Sequence, residues 1–456
     1  MSMDDYLNSN IGGLYMSNLL TKLHKLALEL SISPHQILII ADNFKQAMQN
    51  GLSGSPSSLK MLPSYLNKPT RKEIGTFLAL DFGGTNVRVL LTELLGQGRF
   101  IVHARAGKPL TSIVEQYNHI SRQSTADQLF DFIAQQIATL IKPDLIYPLG
   151  HTFSFPTDQT SLNTGTLIHW TKEIETTGVE GEEITALLRA ALIRQNLDNV
   201  LPQAIINDTV GTLLASAYTN QYTDIGSICG TGHNTAYIEP CAPWTKQPMI
   251  INMESGNFDE LPFTSYDTLL DMHSEKPSVQ RLEKMVSGHY VGELLRIIAC
   301  SLFADGLLAS CSTKEILNTP YILNGAHISN LLEDDSAEYE SIAYLLENKL
   351  GITGSTSVDR KALKDIAALV STRSARLVAA TYIGIIHHID PNLTKNHNIA
   401  IDGSLYEKVP GYAATIQMTL NQGFDTKKRE ITATLTKDGS GIGAAIATAI
   451  AVHKDK

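Results

Sequence analysis

An amide and a carboxylate stand side by side at Asn207 and Asp208, directly after the apolar run Val200–Ile206. Open α/β sheets hold their ligands where strands end, so Asp208 is the first candidate for a catalytic base. The alternative is that Asp208 caps the helix-like stretch that follows, because aspartate often precedes a helix. Which interpretation applies depends on the other residues that share the site.

Two glycine turns have the composition of phosphate-binding loops. The first, Asp81-Phe82-Gly83-Gly84-Thr85-Asn86, joins two strand-like runs and is followed by Arg88, and the second is Gly230-Thr231-Gly232. The N–H groups of such turns cradle phosphate, and Asp81 is placed to hold a magnesium ion through water. Glycine hairpins without a ligand are also common, so this alternative stays open. The chain has no Walker A sequence, which excludes a P-loop ATPase.

Two further glycine motifs lie towards the C-terminus. Asp438-Gly439-Ser440-Gly441-Ile442-Gly443-Ala444-Ala445 runs into a final helix. Helix N-termini bind anions, but small residues also permit close helix packing, and the motif fits both interpretations. Asp402-Gly403-Ser404 is either a ligand-binding turn or a plain one.

The elements around these motifs predict two related α/β halves. A strand, a polar glycine turn and a second strand occur at 76–91 and again, about 147 residues later, at 225–238. Helical patterns at 129–141 and 184–192 alternate with strand-like runs, which is the order of an α/β domain. Two helices are predicted at the start of the chain, the second beginning at Ser33-Pro34, and residues 282–370 are predicted to be mostly helical.

Composition excludes several classes of function. The 456 residues include 36 Lys+Arg against 46 Asp+Glu, a net charge of −10, whereas nucleic-acid binding requires a basic surface. No run approaches the ~18 apolar residues of a membrane span, and the N-terminus lacks the basic segment of a targeting signal. Four cysteines without paired metal spacing predict reduced thiols, no zinc site and a cytoplasmic location.

Taken in order, the motifs resemble those of the hexokinase family of the eukaryotic type over nearly the whole chain. The series is Met61-Leu62-Pro63-Ser64-Tyr65, Asp81 to Asn86, Ser154-Phe155-Pro156, Trp170-Thr171-Lys172, Asn207 to Leu213, Gly230-Thr231-Gly232 with Asn234, Asn252-Met253-Glu254, Glu283-Lys284-Met285, Asp402-Gly403-Ser404 and Asp438 to Ala445. The resemblance implies an α/β, two-lobed actin-like ATPase (ribonuclease H-like) fold with a central cleft. The expected small domain is 76–210 plus 442–456, and the expected large domain is 1–75 plus 211–441.

The resemblance also implies transfer of the γ-phosphoryl group of Mg-ATP to the 6-hydroxyl of a hexose, with glucose as the expected substrate. The implied sugar-binding residues are Ser154, Thr171, Lys172, Asn207, Asp208, Asn234, Glu254 and Glu283. The expected ATP-binding residues are Asp81, Gly83, Gly84, Thr85, Asn86, Arg88, Gly230, Thr231, Gly232, Gly403, Ser404, Gly439, Ser440 and Gly441. Asp208 would act as the base and Lys172 would steady the developing charge, with magnesium near Asp81 and Asp208 through water. Closure of the lobes on the sugar would exclude water.

Four places depart from the family pattern. Thr171-Lys172-Glu173-Ile174 differs from the usual Thr-Lys-Gly-Phe. Ser255 replaces a usual tryptophan beside Glu254, which predicts a larger or more hydrated sugar pocket. Ile442 stands where a basic residue is frequent, so one nucleotide contact is missing, and His151 stands where an apolar aromatic residue is common. The rival hypotheses are a catalytically silent sugar sensor and an actin-like assembly protein. The sequence leaves open whether the protein is a monomer or a homodimer.

Overall fold

The computed structural model describes residues 3–171, 174–305, 318–424 and 429–454, with the backbone alone at 3–16 and 454. The strands are β1 (Leu62–Pro63), β2 (Ile74–Phe82), β3 (Asn86–Gly96), β4 (Arg99–Pro109), β5 (Thr111–Ser112), β6 (Tyr117–Asn118), β7 (Tyr147–Phe153), β8 (Thr157–Ser161), β9 (Thr164–Leu167), β10 (Val200–Ile206), β11 (Thr223–Cys229), β12 (His233–Glu239), β13 (Met249–Asn252), β14 (His397–Asp402) and β15 (Ile431–Leu435).

The helices are α1 (Met3–Leu30), α2 (Pro34–Ser53), α3 (Ala126–Ala138), α4 (Ile184–Arg194), α5 (Asp208–Thr219), α6 (Ser265–His273), α7 (Arg281–Val286), α8 (Gly288–Ala304), α9 (Gly325–Glu333), α10 (Glu340–Tyr344), α11 (Ser357–Ile389), α12 (Ser404–Lys408), α13 (Tyr412–Gly423) and α14 (Gly439–Lys454). A 3-10 turn occupies Ser255–Asn257, and a π-helical turn occupies Leu345–Lys349.

Two sheets with the same connectivity organise the molecule. The order is β4-β3-β2-β7-β10 in the five-stranded sheet and β1-β13-β12-β11-β14-β15 in the six-stranded sheet. In each sheet, three successive antiparallel strands precede two parallel strands, and β1 is an extra strand at one edge. The prediction of two related α/β halves is therefore confirmed.

Helices α5 and α14 lie between the two sheets, and each packs on the sheet that it does not directly follow. Helix α5 follows β10 of the five-stranded sheet and packs on β11 of the other, whereas α14 follows β15 of the six-stranded sheet and packs on β2 and β7. The two helices cross where a methyl group on Gly443 would overlap the carbonyl oxygen of Gly211. Close helix packing is therefore one role of the glycines in the C-terminal motif.

Among the remaining helices, α3 and α4 pack on the five-stranded sheet, and the others cover the six-stranded sheet. Helix α2 begins at a capping box, in which Ser33 accepts from the N–H of Gln36 and the Gln36 side chain accepts from the N–H of Ser33. It packs against the long helix α11. The region 282–370 is largely helical as predicted, in its described part.

The predicted reduced thiols are confirmed for Cys229, Cys241 and Cys300, which are free, while Cys311 lies outside the described residues. Within the described ranges, no helix combines the length and the apolar character needed to cross a bilayer.

His151 lies on β7 in the core of the five-stranded sheet, with its ring centroid 5.5 Å from that of Phe153. The imidazole is 1% exposed, and neither ring nitrogen has a hydrogen-bond partner among the described residues. Burial lowers the pKa of His151 to about 3, so the ring is neutral at ordinary pH and packs as an aromatic group.

Candidate active site

Asn207 and Asp208 lie where β10 ends and α5 begins, as the sequence predicted. Asn207 is the N-cap, because its Oδ1 accepts from the N–H of Val210 at 2.9 Å. The alternative that Asp208 caps the helix is therefore wrong. Asp208 is partly buried in the first turn, where its Oδ1 accepts from the N–H of Thr209 at 2.8 Å.

A half-buried set of one carboxylate and two amides lies on the six-stranded sheet. The Nδ2 atoms of Asn234 and Asn252 donate to Oε1 of Glu254 at 3.2 and 2.8 Å, and Asn234 Nδ2 also donates to Asn252 Oδ1 at 2.9 Å. Burial raises the pKa of Glu254, and the nearby charge of Asp208 raises it further. The structure thus brings Asn234 and Glu254 together within electrostatic reach of Asp208.

Glu283 reaches the same region from α7. Its Oε2 accepts from Nε2 of Gln280 at 3.1 Å. A methyl group on Gly232 would lie 3.2 Å from Oε1, and one on Gly256 would lie 2.9 Å from Oε2. Both glycines therefore give the Glu283 carboxylate room beside the second glycine turn.

Ser255 adjoins this set, and its N–H donates to Oδ1 of Asn234 at 3.1 Å. The side chain is fully buried, and its Oγ has no hydrogen-bond partner among the described residues.

The other predicted sugar ligands belong to the five-stranded half. Ser154 directly follows β7, and Thr171 follows Trp170, whose indole Nε1 donates to the carbonyl oxygen of Thr176 at 2.8 Å. Lys172 lies outside the described residues, so its predicted role is untested. Just before Thr171, the Nε2 atom of His169 lies 3.2 Å from Nζ of Lys276. This contact joins the segment of Thr171 to the segment that leads to Gln280 and Glu283.

The first glycine turn opens towards solvent. Gly83 and Gly84 are half-buried and Thr85 and Asn86 are exposed. Asp81, at its start, is buried, and its Oδ2 accepts from Nη2 of Arg88 at 2.6 Å and from Oγ of Ser440 at 2.9 Å. Burial raises the pKa of Asp81 despite the adjacent guanidinium. The structure therefore brings together the predicted ATP-binding residues Asp81, Arg88 and Ser440.

The other predicted ATP-binding turns are more tightly packed. A methyl group on Gly439 would lie 2.9 Å from Cα of Thr212, and one on Gly441 would lie 2.7 Å from Cδ1 of Leu90. Gly230 is buried, Thr231 and Ser404 are exposed, and Gly403 has a φ of 123°. Ile442, which replaces a frequent basic residue, is 8% exposed and packs in the core between the sheets.

Acidic side chains surround Asp208 on this side of the site. Burial raises the pKa of Asp402 to about 6, and the charge of Asp208 adds to the effect. Such an excess of carboxylates fits a divalent cation with oxygen ligands. Among the described residues, however, no three acidic, histidine or cysteine side chains converge as a direct metal site.

Sequence reasoning missed several residues of the site: Asn252, Gln280, Asp402, Asp438 and Arg105. Asn252, Asp402 and Asp438 stand inside motifs that were recognised, and Gln280 lies three residues before Glu283, so their places in the sequence could have identified them. Nothing in the sequence singled out Arg105.

Models of two parts of one protein family, both described as hexokinase, match residues 22–218 and 224–450. The chain belongs to the hexokinase family. It is an enzyme that phosphorylates hexoses in an ATP-dependent reaction, and the predicted family and activity are confirmed.

Individual relatives agree with this assignment. The hexokinase of Kluyveromyces lactis is 35% identical, over 94% of this chain and 92% of the relative. Hexokinase-1 of Saccharomyces cerevisiae is 33% identical, over 95% and 92%. A solved structure of Schistosoma mansoni hexokinase complexed with glucose superposes with a TM-score of 0.82 at 31% identity, covering 95% of this chain and 99% of that one. The predicted two-lobed α/β fold is confirmed by this match.

Proposed function

We propose that this hexokinase phosphorylates glucose at its 6-hydroxyl, with Mg-ATP as the donor and Asp208 as the catalytic base. The observation that carries the proposal is the hydrogen-bonded, half-buried set of Glu254, Asn234 and Asn252 within electrostatic reach of Asp208. The similar Schistosoma mansoni enzyme, described as complexed with glucose, supports the choice of sugar.

The polar set has the hydrogen-bonding capacity that a hexose needs. Sugar hydroxyls both donate and accept, and carboxylates accept such bonds about twice as strongly as neutral groups. Both amides donate to Oε1 of Glu254, so Oε2 is the oxygen available to a sugar hydroxyl. Once a sugar covers it, a site of this kind rejects analogues that lack a hydroxyl, because its own polar groups would be left unpaired. Glu254 and Glu283 are therefore proposed as specificity residues, together with Ser154, Thr171, Asn207 and Asn234.

Asp208 is proposed to orient the 6-hydroxyl and accept its proton as the hydroxyl attacks the γ-phosphorus. The first glycine turn, Arg88 and Ser440 position the phosphates, and Lys172 steadies the charge that develops during transfer. Magnesium, held through water near Asp81 and Asp208, supplies charge neutralisation at the phosphates when bound. Because the transition state of phosphoryl transfer is loose, positioning and electrostatics supply most of the catalysis.

We further propose that the domains are 76–210 plus 442–456 and 1–75 plus 211–441, and that they close on the sugar to exclude water. The contact between His169 and Lys276 supports closure, because it joins the two halves of the proposed sugar site. The free thiols of Cys229, Cys241 and Cys300 support a reducing, cytoplasmic location.

A coupled kinase assay over glucose, mannose, fructose and glucosamine tests the proposal. The highest kcat/KM is expected for glucose, and removal of magnesium with EDTA should abolish turnover. A higher kcat/KM for another hexose would contradict the choice of substrate. Sugar binding by calorimetry without any turnover would instead support the silent sensor.

A further inference from the structure

Four side chains of alternating charge lie on one face of the five-stranded sheet, beside the first glycine turn. Arg88 Nη2 contacts Asp81 Oδ2 at 2.6 Å, Arg88 Nη1 contacts Asp438 Oδ1 at 3.2 Å, and Arg105 Nη1 contacts Asp438 Oδ2 at 2.8 Å. The order Asp81, Arg88, Asp438, Arg105 thus forms a continuous chain of ion pairs.

Strand register places these groups together. Asp81 on β2 pairs directly with Arg88 on β3, and Arg88 pairs with Gly107 on β4, two residues from Arg105. A methyl group on Gly107 would lie 3.3 Å from Cγ of Arg88 and 2.6 Å from the carbonyl oxygen of Val87. Because Gly107 has no side chain, Arg88 can lie across β4 towards Asp438.

Asp438 reaches this face from the turn before α14. Its φ of 55° is left-handed, and its side chain is 35% exposed, between the more exposed guanidinium groups of Arg88 and Arg105. Without Arg105, the group would contain two carboxylates and one guanidinium, a net negative charge beside the turn where the phosphates are proposed to bind. With Arg105 the four charges balance, and Arg88 is not the sole partner of Asp438.

We propose that Arg105 is a positioning residue for ATP, which neutralises Asp438 and so leaves Arg88 able to turn towards the phosphates. The proposal rests on the proposed function only in placing the ATP phosphates at the turn of Asp81 to Asn86. Arg105 itself touches Asp438 and acts on the nucleotide through that carboxylate. Its role is therefore electrostatic and should be screened by salt.

The test compares Arg105→Ala, Arg105→Lys and the double variant Arg105→Ala/Asp438→Asn with the wild type. Arg99→Ala, at the start of the same strand, is the matched control. Arg105→Ala should raise the KM for ATP roughly three- to fivefold, the range of an exposed charge interaction, and leave the KM for the hexose unchanged. The increase should shrink at ~0.5 M salt, where charges are screened within a few ångströms. Lysine should restore most of the affinity, since it keeps the charge.

The double variant decides the mechanism. If Arg105 acts by neutralising Asp438, removal of that carboxylate should return the KM for ATP close to the wild-type value. Three results would overturn the proposal. The double variant could keep the raised KM for ATP, Arg105→Ala could be indistinguishable from Arg99→Ala, or the KM for the hexose could rise equally. ATP binding can also be measured by calorimetry, which compares the same variants without turnover.

An inactive wild type would therefore contradict the proposed function, while the role of Arg105 in ATP binding could still be tested by calorimetry. Thermal melts identify a misfolded variant, and Arg105→Gln then replaces Arg105→Ala.

Discussion

The two glycine turns follow corresponding strands of the two sheets, yet their surroundings differ. At the first turn, a methyl group on Gly83 would meet only one non-adjacent atom of the described residues within 4 Å, the carbonyl oxygen of Asn86 at 4.0 Å. At the second, the carbonyl oxygens of Gly230 and Thr231 accept from the N–H groups of Gly288 and His289 at 2.8 and 3.1 Å. The first turn is open, whereas the second is bonded to the start of α8.

The contrast extends to the residue that packs on the second turn. A methyl group on Gly403 would lie 2.5 Å from the carbonyl carbon of Cys229, and the φ of Gly403 is 123°. Similar sequences therefore place glycine for different physical reasons. In the first turn glycine leaves the backbone open to an anion, and in the second it allows two turns of the six-stranded sheet to touch.

The largest expected effect tests whether both turns serve one reaction centred on Asp208. Asp208→Ala should lower kcat by about 10²-fold or more, because it removes the proposed base. The fold should survive, since Asn207 and not Asp208 caps α5. Asp198→Ala, an exposed carboxylate just before β10, is the control for steady-state kinetics. A folded Asp208→Ala enzyme with near wild-type turnover would remove Asp208 from the mechanism.

The contrast is tested by two alanine substitutions, one at Gly83 in the first turn and one at Gly403, which packs on the second turn. Gly403→Ala should destabilise the protein by roughly 1–3 kcal/mol, because alanine is strained at this φ and meets the backbone of Cys229. Gly83→Ala should leave the unfolding free energy nearly unchanged but raise the KM for ATP. Denaturant unfolding and ATP kinetics on both variants measure the two effects. The reverse pattern would show that the open turn is structural.

Asp402, beside the packed turn, allows a test by pH. Its pKa of about 6 lies above the ordinary value of 3.8, so the folded protein resists ionisation of this carboxyl. The cost to stability is absent below about pH 4, develops as pH rises to 6, and is complete above it. Asp402→Asn should therefore raise the melting temperature at pH 8 in EDTA by about 2–4 °C, and this gain should vanish near pH 4. A gain that is constant with pH would contradict the burial of a charge.

The smallest effect is spectroscopic and tests whether the half that contains the first glycine turn responds to sugar. Trp170 is 9% exposed and packs against Phe82, at the edge of the first turn, with ring centroids 6.2 Å apart. Trp244 is 52% exposed. Glucose should shift the emission of Trp170, and Trp170→Phe should abolish most of the saturable change while Trp244→Phe preserves it. Loss of the signal in the Trp244 variant would contradict the proposed cleft.

Local sequence signals predicted much of this arrangement, because strands, turns and caps depend on neighbouring residues. Asp81 and Asn207 were recognised because each lies at a strand end or turn, whereas Asn234 and Glu254 were assigned as sugar ligands through the resemblance to the hexokinase family. The pair between Arg105 and Asp438 was not, since its members are 333 positions apart and meet only through the register of β3 and β4. The packing of α5 and α14, each on the sheet that it does not directly follow, is equally a property of the tertiary structure.

The glycine crossing of α5 and α14 has a mechanical consequence. Backbone meets backbone at Gly211 and Gly443, so no rotatable side chain separates the helices and absorbs a displacement. Tightly packed interiors transmit strain, and the boundary between the two proposed domains passes through both helices beside this crossing, so we expect the crossing to stay rigid while the domains move. The helix pair would then act as the pivot about which the lobes close. Changes that slow lobe motion would alter the rate of turnover and leave the geometry of transfer intact.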